Sequence, residues 1–346
     1  MGSKKHRASL TAIDLFCGCG GTTVGLKEAD YSVICAIDFA AAPLDVFRAN
    51  HPEVIVKEQD IRKIDCQSLM KKLNLKRGCL DLLAGCPPCQ GFSSMRTKNG
   101  KFSIVDDRND LISEFYRFAK ILRPKSVMLE NVPGLKDSSQ FSQFLLDMKK
   151  IGYDGDWKVL NAKDFGVPQR RRRLIYVAGY KREVAILAKK EKITTFRDAL
   201  WGYPSPGNSG DYIHDLPENR TDRIKKMISL VPKDGGSRSD LPDEFILPCH
   251  RRSPHGFKDV YGRMAWDSPS PTITGGCASP SKGRFLHPQE DRCITMREAA
   301  ILQGFPRTYI FPDSITKDKL ALMIGNALPA PFIAAHAKDI KNQIYG

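Results

Sequence analysis

The run Asp81–Met95, DLLAGCPPCQGFSSM, constrains this chain more than any other stretch. Leu80 to Ala84 is a short apolar segment closed by Gly85, the pattern of a buried parallel strand that feeds a loop. The loop reads Cys86-Pro87-Pro88-Cys89-Gln90-Gly91. Two prolines restrict the backbone just before Cys89, and Gly91 frees it to turn just after. A thiol fixed at the carboxyl end of a sheet strand is placed to act as a nucleophile. Cys86 and Cys89 also have C-x-x-C spacing, but structural zinc needs a second pair, and Cys17-Gly18-Cys19 is too tight to supply it. The reading predicts no metal.

Upstream, Ala12 to Phe16 is an apolar strand carrying Asp14. It runs into Cys17-Gly18-Cys19-Gly20-Gly21, and Thr22 to Ala29 reads as a helix. Strand, glycine turn and helix form the nucleotide-binding arrangement, although the full dinucleotide spacing is absent and a plain tight turn gives the same pattern. The next strand, Val33 to Ile37, ends at Asp38. An acid about 20 residues past such a turn is where a ribose hydroxyl is held. Asp60 follows a further short apolar run, Val54 to Val56.

Downstream, residues 96–108 are too polar for a core, and Leu111, Ile112, Phe115, Phe118, Ala119 and Leu122 fall at helical spacing. The strand Ser126 to Leu129 ends in Glu130-Asn131-Val132-Pro133-Gly134, which puts a carboxylate on the sheet edge that carries Cys89. A helix over Gln140 to Gly152 and a strand at Trp157 to Leu160 come next. Val167-Pro168-Gln169-Arg170-Arg171-Arg172-Arg173 then leads into the strand Leu174 to Ala178. Side chains alternate along a strand, so the spacing predicts that Arg171 and Arg173 share a face. A solvated charge run is the other reading.

The composition changes from about residue 180, where Pro, Gly, Ser, Asp and Arg dominate and Trp201, Phe245, Trp266 and Phe285 supply apolar anchors. A short helix is expected at Thr221 to Leu230. Regular pattern returns at Arg292, with a helix over Met296 to Gln303, then Ile324-Gly325-Asn326-Ala327-Leu328-Pro329 and a last helix to about Ile344. The expected fold class is α/β, a doubly wound, mostly parallel sheet over 1–179, a smaller loop-rich domain over 180–288, and a return to the first domain over 289–346. The net charge of +15 fits a polyanionic partner, or a protein kept soluble by its charge. Ten cysteines without a secretory signal fit a reducing cytoplasm, and no apolar run reads as long enough to cross a membrane.

These motifs, in this order, resemble those of the DNA cytosine-5 methyltransferases, of the bacterial single-chain type. DLFCGCGGTTVGL resembles the family's first motif, the Pro88-Cys89-Gln90 loop its nucleophile motif, and Glu130-Asn131-Val132 its second catalytic motif. Gln169, Arg171 and Arg173 match Gln-x-Arg-x-Arg, and Gly325-Asn326-Ala327 the closing motif. The resemblance covers nearly the whole chain except about 180–260. It implies the S-adenosylmethionine-dependent methyltransferase fold and that cofactor, with S-adenosylhomocysteine as product. By it, Phe16 lies against the cofactor, Gly18, Cys19, Gly20 and Gly21 receive its amino-acid end, Asp38 takes the ribose and Asp60 the adenine amino group. Phe39, Ile61, Pro88, Leu111, Asn326 and Leu328 join them as cofactor contacts. Cys89, Glu130, Arg171 and Arg173 are then catalytic, and Gln90, Asn131 and Gln169 touch substrate. The chain departs from the family at Asp38, where Glu is commoner, and at Asn109, where Gly is common.

The implied chemistry explains the residue types. Thiolate attack on carbon 6 of cytosine makes carbon 5 nucleophilic. A protonated Glu130 holds ring nitrogen 3, Arg173 the base carbonyl and Arg171 the phosphate side. The base has to leave the stack. The implied partners are double-stranded DNA and a cognate restriction endonuclease, for a monomer in the bacterial cytoplasm, with residues 180–288 choosing the target sequence. A tRNA cytosine methyltransferase of the same fold and a non-catalytic DNA-binding module are the competing readings. An amino-methylating enzyme would show Asp/Asn-Pro-Pro-Tyr/Phe where Cys86-Pro87-Pro88-Cys89 stands.

Overall fold

The computed structural model describes residues 9–88, 111–188, 190–247, 251 and 259–346. Cys89, Gln90 and Asn109 lie outside the described residues. Contacts divide the chain into two compact units. The first comprises 1–161, 172–190 and 330–346, and the second 162–171 and 191–329. The boundaries differ from those expected: 162–171 and 289–329 cluster with the loop-rich middle, and only the last helix returns to the first unit.

In the first unit, apolar runs become strands and the stripes between them become helices. The strands are β1 (Leu10–Leu15), β2 (Tyr31–Asp38), β3 (Ile55–Glu58), β4 (Leu82–Gly85), β5 (Ser126–Asn131), β6 (Tyr153–Asn161), β7 (Arg172–Tyr180) and β8 (Glu183–Val184). Among the described residues they form one eight-stranded sheet, ordered β3-β2-β1-β4-β5-β7-β6-β8. β1 to β5 pair in parallel, whereas β7 runs antiparallel to both β5 and β6. From β1 the chain moves outward to β2 and β3, then returns to the other side of β1 as β4. The carboxyl ends of β1 and β4 therefore lie at a reversal of strand order, where open α/β sheets leave a ligand crevice.

Helices α1 (Gly21–Glu28), α2 (Ala41–Asn50), α3 (Cys66–Lys72), α4 (Leu111–Leu122) and α5 (Ser139–Lys150) connect these strands. The α4 stripe predicted from spacing is buried throughout, and Phe115, Phe118, Phe141 and Phe144 fill the core with Leu15, Leu83 and Leu129. Helices α2 and α3 were not expected, because each buries only a few residues and its periodicity is weak.

In the second unit the helices are α6 (Phe196–Leu200), α7 (Tyr212–Asp215), α8 (Asp222–Leu230), α9 (Met296–Leu302) and α10 (Lys317–Asn326). Much of the rest is irregular, so backbone carbonyls need side-chain partners when buried. Arg263, fully buried, supplies them. Its Nε donates to Val231 O at 2.9 Å, Nη1 to His287 O and Glu290 O, and Nη2 to Ile228 O and the Asp291 carboxylate. Two of these carbonyls end α8, where helical partners run out.

The final helix, α11 (Ala330–Tyr345), packs against α1 in the first unit. Lys317–Tyr345 contains an 18-residue window apolar enough by composition to cross a membrane. The chain there is broken into two helices at Ala327-Leu328-Pro329 and 72% of that window is buried, so its apolarity serves internal packing.

Gly25 permits the α1–α11 approach: a Cβ there would stand 2.5 Å from Ala330 O and 2.7 Å from Ile333 Cβ. Alanine would gain about 1 kcal/mol of helix propensity but would force two helices apart. Gly25→Ala is expected to lose about 1–3 kcal/mol of stability on balance, read as a lower urea midpoint.

Candidate active site

At the end of β1 the backbone leaves the strand through the left-handed region. Phe16 has φ 61°, Gly18 φ 51° and Gly20 φ 98°. A bulky aromatic residue at positive φ is strained, a feature that concentrates at functional sites. The turn is held from below by Cys17 N–H donating to Ile37 O at 3.1 Å, and from within by Gly20 N–H donating to Cys17 O at 2.9 Å. Asp38, at the end of β2, accepts from Gly18 N at 2.9 Å and from Ala40 N at 3.0 Å. The glycine turn and the expected ribose acid are thus one hydrogen-bonded unit. Phe39 stands 72% exposed beside it. Asp60 caps the short 3-10 turn Ile61–Lys63 and pairs with Arg62 at 2.7 Å, while Ile61 is buried.

Two observations describe the crevice beside this turn. A Cβ on Gly18 would meet no atom within 4 Å, so the turn borders open space. Asp14 is fully buried; one carboxylate oxygen accepts from Thr23 Oγ1 at 2.7 Å and the other, Oδ1, has no hydrogen-bond partner among the described residues. Burial pushes its carboxyl up to about 7, opposed by the Thr23 bond. Thr23 and Asp14 were not singled out together from sequence, because only the fold sets the α1 threonine over the strand.

The loop after β4 is anchored before it leaves the described residues. Cys86 N–H donates to Leu15 O at 3.3 Å, and Asn131 Nδ2 donates to Pro87 O at 3.0 Å. Pro88 and the first α4 residue, Leu111, stand on either side of the undescribed segment that holds Cys89 and Gln90. Glu130, near the end of β5, is 2% exposed. Arg173 Nε pairs with its Oε1 at 2.8 Å, and the Cys86 thiol donates to its Oε2 at 2.8 Å. Antiparallel pairing brings this about: Glu130 faces Ile175 across β5 and β7, two residues from Arg173.

The basic run behaves differently from its expectation. Strand β7 begins at Arg172, so Arg171 precedes the strand and does not share a strand face with Arg173. Arg171 belongs to the second unit, is 2% exposed, and donates to Ile273 O and Gly325 O, both at 2.9 Å. A guanidinium buried against carbonyls ties chain segments together. Gln169, fully buried, donates to Leu302 O at 3.2 Å and Gln303 Oε1 at 2.6 Å, and accepts from Ile273 N at 3.0 Å. Asn131 is likewise buried, with its amide holding Pro87 and its oxygen accepting from Val132 N at 2.7 Å. Arg171 was expected to be catalytic and Gln169 and Asn131 to touch substrate; all three are buried and bonded to protein groups, as buried polar groups must be. Asn326 ends α10, exposed, and Leu328 is buried close behind it in the second unit.

Burial sets most of the other described cysteines apart, Cys79 being exposed. It pushes Cys19, Cys35 and Cys277 up to about 12 and Cys66 to about 11, which leaves them neutral thiols. Among the described residues no cluster of His, Cys, Asp and Glu is arranged to hold a metal ion.

The fold has solved counterparts. A putative DNA modification methyltransferase encoded within an E. coli prophage superposes with TM-score 0.70 at 23% identity, covering 98% of this chain and all of that one. The Entamoeba histolytica methyltransferase EhMeth gives 0.65 at 18% identity over 98% of this chain. The class is therefore an α/β methyltransferase fold.

Residues 10–342 match the model of the C-5 cytosine-specific DNA methylases, and the chain belongs to that family. It is 33% identical to the Type II methylase M.HgiDII of Herpetosiphon aurantiacus, over 96% of both chains. It is also 33% identical to the Type II methyltransferase M1.HphI of Haemophilus parahaemolyticus, over 96% of this chain and 87% of the relative. It is a DNA cytosine-5 methyltransferase that uses a methyl donor of the S-adenosylmethionine type.

Asp14 gives the pH dependence of folding a defined sign. The native carboxyl is still protonated where the unfolded one has ionised, so the native state binds more protons from about pH 4 to about pH 7. Stability falls as pH rises through that window, by a few kcal/mol at most at about 1.4 kcal/mol per unit. Asp14→Asn is expected to flatten this decline in urea unfolding curves taken across the window.

Proposed function

We propose that this enzyme transfers a methyl group from S-adenosylmethionine to carbon 5 of a cytosine flipped out of a specific duplex sequence, through a covalent adduct at Cys89. The single observation that carries the reading is Glu130. It is buried at the carboxyl edge of the sheet, between Arg173 and Cys86, beside the anchored loop that leads into Cys89. The cofactor supplies an electrophilic methyl group on a sulfonium. Gly18, Cys19, Gly20 and Gly21 would hold its amino-acid end near Asp14, whose unpartnered oxygen suits a cationic group. Asp38 would hold the ribose; Phe16, Phe39, Asp60, Ile61, Pro88, Leu111, Asn326 and Leu328 complete the proposed set.

Cys89, once ionised, would attack carbon 6, and Glu130 would deliver a proton to ring nitrogen 3 as charge develops there. Arg173 holds the Glu130 carboxylate before the base arrives. Gln90 would contact the substrate, and Asn131 holds the loop that leads to it at Pro87; Arg171 and Gln169 tie together segments of the second unit. We assign the choice of target to residues 180–288 within the loop-rich stretch. A monomer in the cytoplasm, bound to duplex DNA and paired with a restriction endonuclease, completes the reading; the Type II relatives support it.

The test replaces the target cytosine by 5-fluorocytosine in duplex DNA. Methylation at carbon 5 leaves fluorine where a proton would depart, so enzyme and DNA should stay joined on denaturing electrophoresis when S-adenosylmethionine is present. Cys89→Ser should abolish the adduct and Glu130→Gln should slow its formation. An active enzyme that never traps contradicts the covalent route, and trapping on RNA but not DNA contradicts the substrate. Grafting 180–285 from a relative of different specificity should move the methylated sites in bisulfite maps; an active chimera with unchanged sites refutes the assignment.

A further inference from the structure

Glu130 is held by two groups, of which Arg173 answers to the family's motif and Cys86 does not. Cys86 is not free to swing. Its N–H is bonded to Leu15 O, and Pro87, which follows it, confines its backbone to extended conformations. Pro87 in turn accepts from Asn131, the residue next to Glu130. The sulfur therefore reaches Glu130 Oε2 from a backbone fixed at both ends, and 2.8 Å is a close approach for sulfur.

The two carboxylate oxygens are not equivalent. Oε1 faces the permanent charge of Arg173, which disfavours a proton there. Oε2 accepts from the Cys86 thiol. A proton taken up by Glu130 goes to Oε2, and the thiol then loses its acceptor. Hydrogen bonding to the charged form of an acid favours that form. Arg173 reaches Glu130 from β7 and Cys86 reaches it from the loop after β4; its chain neighbour Asn131 is neutral.

We infer that Cys86 is a positioning residue for Glu130: its thiol fixes Oε2 and sets the pH at which that oxygen gives up its proton. This rests on the proposed role of Glu130 as the proton donor to ring nitrogen 3. In that role the rate falls on the alkaline side as Glu130 ionises. Removing the thiol donor destabilises the ionised form, so the alkaline limb moves to higher pH. Serine restores a donor on the same backbone, whereas alanine and valine do not; valine keeps the bulk.

The experiment is single-turnover methylation of an oligonucleotide duplex across pH, with the full chain and saturating S-adenosylmethionine, for wild type, Cys86→Ala, Cys86→Val and Cys86→Ser. The expected result is an alkaline limb displaced upward in Ala and Val, returned toward wild type in Ser, with less than a tenfold fall in the plateau rate of Cys86→Ala and an unchanged KM for DNA. A uniform loss with an unshifted limb in the folded donor-free variants would make Cys86 a packing residue and overturn the inference. An equal shift in Ser and Ala would overturn it too, by removing the donor from the explanation. If Cys86→Ala does not fold, the Val and Ser pair decides. Wild type that fails to methylate or trap cytosine sinks the underlying function, whereas an active wild type with unmoved limbs sinks only the role of Cys86.

Discussion

A carboxylate that is almost wholly buried has to find a cation or lose its charge. Glu130 finds Arg173, and much of the first unit is arranged so that it can. The cation arrives on β7, the strand that runs against β5, and the register of that antiparallel pair puts it within reach. A further parallel strand would have carried its own carboxyl end to the same edge. Reversing β7 instead brings the start of a strand, with its basic run, to the edge where the glycine turn, Asp38 and the loop after β4 already stand. The reversed strand is in this sense part of the site.

The parallel half of the sheet does a different job. Strands β1 and β4 carry the two halves of the proposed site, the glycine turn after β1 and the loop that leads to Cys89 after β4. Cys86 N–H to Leu15 O joins them directly. Cofactor turn and catalytic loop thus hang from adjacent residues of neighbouring strands, Leu15 and Gly85 being paired in register. Asp14 lies one residue earlier in β1, so its burial belongs to the same frame.

Much of this was legible in the sequence, because the site is built at strand ends, and strand ends are marked by apolar runs that stop at Gly, Asp or Glu. The strands over Ala12 to Phe16, Val33 to Ile37 and Ser126 to Leu129 all formed within a few residues of their expected limits. What failed has a common physical cause. Arg171 was placed beside Arg173 on the period-2 rule, but the strand starts one residue later and the guanidinium is taken by carbonyls at positions 273 and 325. Asn131 holds the loop at Pro87, and Gln169 bonds Leu302 and Gln303, contacts that no local pattern announces. Periodicity reports which way a side chain leaves the backbone. It carries no information on a hydrogen-bond partner more than a hundred residues away. The pairing of Cys86 with Glu130 was hidden for the same reason.

Arg263 gives the second unit a property that its loops alone would not have. Its five N–H groups bind carbonyls and a carboxylate drawn from Ile228, Val231, His287, Glu290 and Asp291, like a hub with five spokes. Each spoke is tied by its backbone or by one acid, so segments lying 24 to 35 residues from Arg263 in sequence meet at one side chain. The irregular segments are in this sense moored to a single cation, and a change of that one residue would release all five moorings at once.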